Sequence, residues 1–356
     1  MNLDDLQLMH QLDSQNMLAE IDNLPAQLEK AWQIGQNCED VGHASSVTCE
    51  RVLISGMGGS AIGADLLAAY IASSCPVPVV VHRDYGLPAW ARGPETLVIA
   101  SSHSGNTEET LEAFNAALKN KCRVMAIATG GRLAERAAQA KIPLWKFKHG
   151  GQPRAAVGFS FGLLLAAFAR LELIPDPAKE LAGAVAAMKK QQETLRAGVP
   201  VTHNPAKRLA GQLVGRWINV YGSGCLAPVA RRWKGQVNEI AKAGAGFELL
   251  PEADHNALAG LLNPADILSR TMTLFLRAPS DHPRNRLRAD LTRQGFMVEG
   301  LTTDVYDAQG ESPLVHIWTT LHFGDYTAYF LAMAYGADPT PVNALVNFKA
   351  AMQAAR

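Results

Sequence analysis

The chain has 356 residues, of which 48% are hydrophobic and 19% charged, a composition typical of a compact globular protein rather than a disordered one. Its 33 basic residues equal its 33 acidic residues in number, so there is no net basic field to attract nucleic acid. The longest apolar stretch, Gly158 to Ala169, is too short to span a bilayer and is followed by Arg170. We predict a buried helix there and no membrane partner.

The start of the chain, MNLDDLQLMH, is acidic and lacks the charged-then-apolar layout of a secretory signal, so we expect none. The five cysteines and ten histidines are scattered, without CxxC or HExxH spacing. We therefore expect reduced thiols, a cytoplasmic location and no bound metal.

Residues 1–46 carry helical periodicity and predict a leading helical segment. Short apolar runs then alternate with amphipathic helices, which is typical of βαβ units and a parallel sheet. The predicted strands are 51–56, 77–85, 96–102, 123–130 and 142–147, and the predicted helices between them are 60–73, 107–120 and 131–140.

The pattern pauses in a helical stretch near residues 175–205 and then restarts. An arginine, an apolar strand, a Gly-x-Gly turn and a helix occur around both Gly56 and Gly222. We predict two similar α/β domains from an internal duplication, spanning 47–175 and 205–337. Further strands are predicted in 266–279 and 296–304, a long buried helix in 313–336, and a C-terminal helix in 338–356.

The stretch SSHSGNTEET, Ser101 to Thr110, directly follows an apolar strand and opens a helix. The first turn of a helix has unpaired N–H groups and a dipole that favours negative charge. Two interpretations remain open here. Ser104 or Asn106 could cap the helix, with Glu108 or Glu109 completing a capping box. Alternatively, the hydroxyl groups and the helix start together bind a phosphate.

The glycine loop Gly56–Ala61 nearly matches the dinucleotide fingerprint, and Asp84 follows the next strand, which makes an NAD-dependent dehydrogenase the rival hypothesis. Two helix starts rich in hydroxyl groups nevertheless favour a phosphate monoester, since a pyrophosphate is usually met by bare glycine backbone. Both turns lie at strand carboxyl ends, where such folds bind ligands. The hydroxyl residues are Ser60, Ser102, Ser104 and Thr107.

Five segments, in register and in order, resemble the bifunctional phosphoglucose/phosphomannose isomerases of the phosphoglucose isomerase superfamily. They are GMGGSAIGADL, SSHSGNTEET, YGSGCLAPVARRWKGQVNEIAKA, LPEADHNAL and YGADPTPVNALVNFKAAM. The resemblance covers residue 50 to the C-terminus. It implies two sugar isomerase (SIS) domains, each an αβα sandwich with a mainly parallel sheet, in a homodimer. It also implies that glucose 6-phosphate and mannose 6-phosphate interconvert with fructose 6-phosphate through a cis-enediol, without a cofactor.

The resemblance further implies roles for individual residues. Glu239 matches the catalytic base, His255 the ring-opening histidine, Lys349 the lysine that assists it, and Arg154 the arginine that stabilises the enediolate. Taken alone, the first three are ordinary surface residues, whereas Arg154 precedes a very apolar helix and is expected to face a cleft. The implied phosphate pocket comprises Gly59, Ser60, Ser102, Ser104 and Thr107.

The chain departs from the family pattern at His103, Ile240 and Asp254. The family commonly has an aromatic residue such as Tyr at the first of these positions and Asn at the other two. These departures keep open a second alternative, a non-catalytic sugar-phosphate sensor. We also predict that the segment 338–342, with Thr340, forms a wall beside Glu239.

Overall fold

The structure is a computed structural model that describes residues 2–38 and 48–355. Its first three helices form the part of the leading segment that is described. They are α1 (Leu6–Leu12), α2 (Met17–Asp22) and α3 (Leu24–Asn37). Pro25 lies in the first turn of α3, where its missing N–H costs no hydrogen bond.

The first sheet is wholly parallel and has the order β2-β1-β3-β4-β5. Every residue of β3 is buried, as expected for a central parallel strand covered by helices on both faces. All five predicted strands are confirmed, with shorter ends for four of them. They are β1 (Arg51–Ser55), β2 (Val79–His82), β3 (Thr96–Ser102), β4 (Arg123–Ala128) and β5 (Leu144–Lys146).

Helices cover both faces of this sheet. One core cluster joins α5 (Glu108–Lys119) and α6 (Gly131–Gln139) to one face, and a larger one joins α4 (Gly58–Ile71) and α7 (Val157–Arg170) to the other. Residues 157–168 of α7 are all buried, which confirms the helix predicted for the longest apolar stretch.

Helices α8 (Ala178–Leu195) and α9 (Pro205–Leu213) lead to a second parallel sheet of order β7-β6-β8-β9. This order repeats that of β2-β1-β3-β4, as the internal duplication predicts. Strand β7 was not predicted, because its run is short and contains Gly246. The strand predicted in 296–304 is wrong at its start, since a helix runs to Val298 and the strand begins at Thr302. The strands are β6 (Trp217–Gly222), β7 (Ala245–Leu249), β8 (Thr271–Arg277) and β9 (Thr302–Asp307).

The remaining helices are α10 (Ala227–Glu239), α11 (Ala265–Leu268), α12 (Pro283–Val298), α13 (Pro313–Tyr335) and α14 (Asn343–Ala354). Helix α13 is buried over most of its length, as predicted, and packs against α8, α9 and α10. Trp318 of α13 meets Phe161 of α7 edge to face at 5.2 Å, and α10 also contacts α4. One continuous apolar core therefore joins the two halves and holds the end of α10 near the start of α7.

Candidate active site

The loops after β1 and β3 bring three predicted phosphate ligands together. Ser60 and Ser102 are buried, and the Ser102 Oγ lies 2.9 Å from the Thr107 Oγ1. The backbone N–H of His103 donates to the Ser60 Oγ at 3.2 Å, which ties the two loops to each other. Ser104 is exposed at the rim, where its Oγ accepts from the Asn106 N–H.

The helix-capping interpretation of this stretch is wrong. The N-cap of α5 is Thr107, and no side chain among the described residues caps that helix. Thr107 instead turns its hydroxyl toward Ser102, while the Asn106 Oδ1 accepts from the Arg132 N–H. The N-terminus of α4 likewise lacks a side-chain cap in the described part of the chain. Two helix N-termini whose N–H groups are not capped by a side chain in the described residues thus lie beside a hydroxyl cluster. This arrangement favours the phosphate interpretation.

The glycine loop admits a second backbone segment. A Cβ on Gly59 would lie 2.4 Å from the Pro153 carbonyl oxygen, so only glycine lets the turn Pro153–Ala155 approach the start of α4. This turn therefore covers the glycine loop at Gly59. Asp84 is exposed, and its carboxylate accepts from the N–H of Tyr85.

Arg154 lies on that turn and is buried at the boundary between the two halves. Its Nη2 donates to the carbonyl oxygens of Pro339, at 3.0 Å, and of Thr340. Its Nη1 lies 3.7 Å from the Glu239 Oε2. Burial lowers the pKa of the guanidinium, and the nearby Glu239 carboxylate opposes that effect. The Nε is buried and has no hydrogen-bond partner among the described residues, so one N–H donor of this guanidinium is available to a ligand.

Glu239 is the last residue of α10, and its side chain is 35% exposed. Lys242 closes the end of this helix, with its Nζ donating to the carbonyl oxygens of Glu239, at 2.6 Å, and of Pro339, at 3.2 Å. Burial lowers the pKa of Lys242 to about 8, and Arg154 adds to the shift. The carboxylate of Glu239 thus faces Arg154, Lys242 binds the backbone carbonyl of the same residue, and the Glu239 side chain stays partly open to solvent.

A buried ion pair supports this arrangement. Arg232 of α10 makes two hydrogen bonds to the Asp325 carboxylate, of 3.2 and 2.8 Å, and a third, of 2.8 Å, to the carbonyl oxygen of Arg154. It therefore fixes the backbone of the arginine turn to the helix that carries Glu239. Our sequence analysis missed this role, although Arg232 lies in the quoted ARRWKG motif. Its place on the predicted helix that carries Glu239 was visible in the sequence, whereas its pairing with Asp325 depends on three-dimensional packing.

Within one chain, His255 and Lys349 do not contact Arg154 or Glu239. His255 lies in an exposed turn, Glu252–His255, after β7. Lys349 lies on α14, every described residue of which is exposed. Neither side chain makes a hydrogen bond or ion pair with a described residue of the same chain.

The three departures from the family pattern have structural explanations. Ile240 is fully buried just beyond α10 and belongs to the apolar core. Asp254 accepts from Arg288 and Thr292 of α12, at 2.9 and 2.7 Å, which anchors the His255 turn. The His103 ring pairs with His149, its Nε2 lying 2.9 Å from the Nδ1 of that residue. None of the three displaces a predicted catalytic group.

The second half repeats the glycine loop but fills it with a carboxylate. Asp281, in the loop after β8, is buried and accepts from the Ala278 N–H at 2.9 Å. A Cβ on Gly224 would lie 2.9 Å from the Asp281 Oδ1, so this carboxylate sits against the loop that corresponds to Gly56–Gly58. Burial raises the pKa of Asp281.

Across residues 2–38 and 48–355, no cluster of three metal-ligating side chains occurs. Within the same ranges, no helix has the length and apolar character needed to cross a membrane. The five cysteines are all free.

Comparison with known proteins agrees with this geometry. Residues 202–352 match the family described as "Bacterial phospho-glucose isomerase C-terminal SIS domain". A bifunctional phosphoglucose/phosphomannose isomerase of Caldicellulosiruptor bescii is 39% identical over 92% of this chain and 96% of its own length. One from Aquifex aeolicus is 32% identical over 84% of this chain and 89% of its own. The chain belongs to the bifunctional phosphoglucose/phosphomannose isomerase family.

The fold of this family member also matches solved structures. A hypothetical protein of Thermus thermophilus superposes with a TM-score of 0.75 at 17% identity, covering 98% of this chain and 92% of the other. The predicted fold, two SIS-type domains with parallel sheets, is thereby confirmed. The family also settles the choice of enzyme class against the NAD-dependent dehydrogenase, since its members are isomerases.

Proposed function

We propose that the chain interconverts glucose 6-phosphate and mannose 6-phosphate with fructose 6-phosphate. The observation that carries this proposal is the position of Arg154. Its turn lies against the hydroxyl-lined helix start at Gly59, its Nη1 faces Glu239, and its buried Nε is unspent. An anion anchor, a stabilising cation and a base are thus adjacent. We place this chemistry in the cytoplasm, where free thiols stay reduced.

In this mechanism the hydroxyl cluster and the two helix starts hold the phosphate, the end of the sugar that does not react. Glu239 removes the proton from C2 of the aldose and returns it to C1, as general base and then general acid. Arg154 stabilises the enediolate oxygen, because a fixed donor in a buried site loses no energy to reorganisation when charge develops. His255 and Lys349 open the sugar ring beforehand.

One site serves both aldoses because they differ only at C2. Both give the same cis-enediol once the C2 proton leaves, and rotation about C2–C3 then decides which face is reprotonated. Thr340 supports this interpretation, since its buried Oγ1 has no partner among the described residues and its carbonyl binds Arg154. We propose that this hydroxyl forms part of the wall beside the enediol.

The test is incubation of the purified protein with fructose 6-phosphate and identification of the products. We expect both glucose 6-phosphate and mannose 6-phosphate, and the same final mixture from each of the three sugars. Formation of glucose 6-phosphate alone would contradict the bifunctional assignment. Binding without turnover would instead favour the non-catalytic sensor.

We further propose that the chain acts as a homodimer. The described part of helix α14 exposes four large apolar side chains, of which Val346 and Phe348 are each 63% exposed, beside Leu345 and Met352. Neither His255 nor Lys349 contacts the Arg154–Glu239 pair within one chain. A second copy that covers α14 would bury this apolar surface and would bring in His255 to complete the site.

Mixing two inactive variants tests the shared site. Glu239→Gln and His255→Asn chains, each nearly inactive, are unfolded together and refolded. If His255 acts across the interface, each heterodimer contains one intact site, and random assortment restores about a quarter of wild-type activity. The control is the same mixture of Glu239→Gln with Arg154→Ala, whose residues act in one chain and should give no recovery. Absence of recovery in the first mixture would place His255 in its own subunit's site.

Thr107→Ala should weaken substrate binding more than turnover. The phosphate is bound alike in the ground and transition states, so losing one of its ligands raises KM while kcat stays within a few-fold. Loss of a hydrogen bond to a charged group corresponds to about 1.5–3 kcal/mol, or roughly 10- to 150-fold in KM. Steady-state kinetics of fructose 6-phosphate measures both constants, with exposed Thr202→Ala as the matched control. A fall confined to kcat would remove Thr107 from the phosphate pocket.

A further inference from the structure

A hydrogen-bonded chain of three side chains ends at the phosphate loop. The Glu20 Oε2 lies 3.1 Å from the His149 Nε2, and the His149 Nδ1 lies 2.9 Å from the His103 Nε2. Glu20 belongs to α2, His149 to the segment that leads to Arg154, and His103 lies between Ser102 and Ser104. None of these contacts is needed for the mechanism proposed above.

Elementary hydrogen-bond chemistry fixes the direction of this chain. A carboxylate only accepts, so the His149 Nε2 carries the proton that Glu20 receives. In the neutral state the His149 Nδ1 then holds a lone pair and accepts from the His103 Nε2–H. The remaining nitrogen, the His103 Nδ1, is left without a proton and with no hydrogen-bond partner among the described residues. It can accept a hydrogen bond but cannot donate one to a phosphate oxygen.

One added proton would change the His103 Nδ1 from a hydrogen-bond acceptor into a donor. If His149 becomes an imidazolium between Glu20 and His103, its Nδ1–H donates to the His103 Nε2, and His103 adopts the other tautomer with a proton on Nδ1. The Nδ1 is attached to Cγ, the ring atom closest to the main chain, and that main chain is the phosphate loop between Ser102 and Ser104. The added charge rests beside Glu20, where it is paired.

The surroundings of the His103 ring disfavour a positive charge on it. Glu20 from α2 and His149 from the loop after β5 are the titratable groups that face the His103 ring. Phe147 packs edge to face against the His103 ring at a centroid distance of 5.8 Å and stacks on Phe159 at 4.9 Å, and both phenyl rings are uncharged. Burial lowers the pKa of His103 to about 4, with His149 adding to the shift.

We propose that His103 is a further phosphate ligand, and that binding a sugar phosphate dianion draws one proton into the Glu20–His149–His103 chain, which converts the His103 Nδ1 into a donor. This inference rests on the proposed function, because it requires the phosphate to lie in the Ser60–Ser102 pocket. It assigns a role to His103, where the family commonly has an aromatic residue. It also predicts that substrate affinity falls as the pH rises, by at most tenfold per pH unit for one linked proton.

Calorimetry of an unreactive ligand tests the inference. The probe is 1,5-anhydroglucitol 6-phosphate, which carries the phosphate but has no carbonyl to isomerise. It is titrated into the full chain at about pH 7.5, where the phosphate is a dianion because its second pKa is about 6. The slope of the binding enthalpy against the ionisation enthalpy of several buffers gives the number of protons taken up. We expect about 0.5–1 proton per site.

Three variants locate that proton. His103→Phe keeps a ring against Phe147, and His149→Asn breaks the chain at its centre. Both should abolish proton uptake, whereas His82→Gln, on β2 and outside the chain, should retain it. Uptake that is absent in the wild type, or unchanged in His103→Phe, would overturn the inference.

A measurement on the unaltered protein guards against misfolded variants. Nitrogen-15 spectra of labelled histidines should show a bare Nδ1 on His103 in the free chain and an Nδ1–H when the analogue is bound; an Nδ1 that stays bare would overturn the inference. Failure of the analogue to bind would overturn the proposed function and this inference with it. Binding without proton uptake would overturn this inference alone.

Discussion

Glu239→Gln should nearly abolish isomerisation, with kcat reduced about 10²–10⁴-fold. The amide keeps the shape of the side chain and its place near Arg154 but cannot take the C2 proton. Exchange of that proton with solvent, followed by proton NMR in deuterated buffer, should vanish in parallel. Binding of the unreactive analogue should stay within a few-fold of wild type, because the phosphate ligands are untouched.

The matched control is Glu252→Gln. Glu252 lies in the His255 turn, accepts from the Asn256 amide at 3.1 Å, and is a carboxylate outside the Arg154–Glu239 pair. We expect this variant to retain proton exchange. If the Glu239→Gln chain still turns over at the wild-type rate, the base is misassigned, and Glu248 and Glu252 become the groups to examine.

Arg154→Ala should act mainly on turnover. Loss of one preorganised donor from a buried site raises the activation barrier by about 2.7–4 kcal/mol, which corresponds to roughly 10²–10³-fold in kcat. KM for fructose 6-phosphate should change much less, since charge on the enediolate develops only as the proton leaves. Steady-state kinetics separates the two constants.

Arg154 also has a structural role, so its variant needs controls. Truncation leaves the carbonyl oxygens of Pro339 and Thr340 without this donor, and unfolding should become easier by about 1–3 kcal/mol. Arg154→Lys keeps the charge but loses the planar fork and should recover only part of the activity. Added guanidinium should partly restore kcat in Arg154→Ala, because the cavity left behind fits it. If a folded Arg154→Ala chain shows an unchanged kcat, the role proposed for this arginine is wrong.

Much of the fold could be predicted, because buried parallel strands appear in the sequence as short runs of apolar residues. The seven consecutive buried residues of β3 are the clearest case. Strand β7 was missed because it is short and contains a glycine. The alternative of a helix cap at Ser104 or Asn106 is wrong for a different reason, since the helix begins after Thr107 and the Thr107 hydroxyl lies against Ser102 rather than the helix.

The site was harder to predict from the sequence than the fold. Glu239 and Arg154 were named through a resemblance, and the structure brings them to 3.7 Å. The groups that hold them come from distant parts of the chain: Arg232 is paired with Asp325, and Lys242 donates to the carbonyl of Pro339. Such pairs depend on three-dimensional packing, and no local pattern of residue types announces them.

The side chain of Asp281 makes the glycine-loop pockets of the two duplicated halves different. In the first half the pocket between the two loops is lined by hydroxyl groups, whereas in the second the Asp281 side chain already occupies the corresponding place. This side chain would exclude a phosphate, so we expect each chain to bind a single sugar phosphate despite its twofold ancestry. The second half instead carries Glu239 at the end of α10, opposite Arg154 of the first half. We therefore expect that loosening the contact between the halves, which separates Glu239 from Arg154, would lower turnover more than affinity.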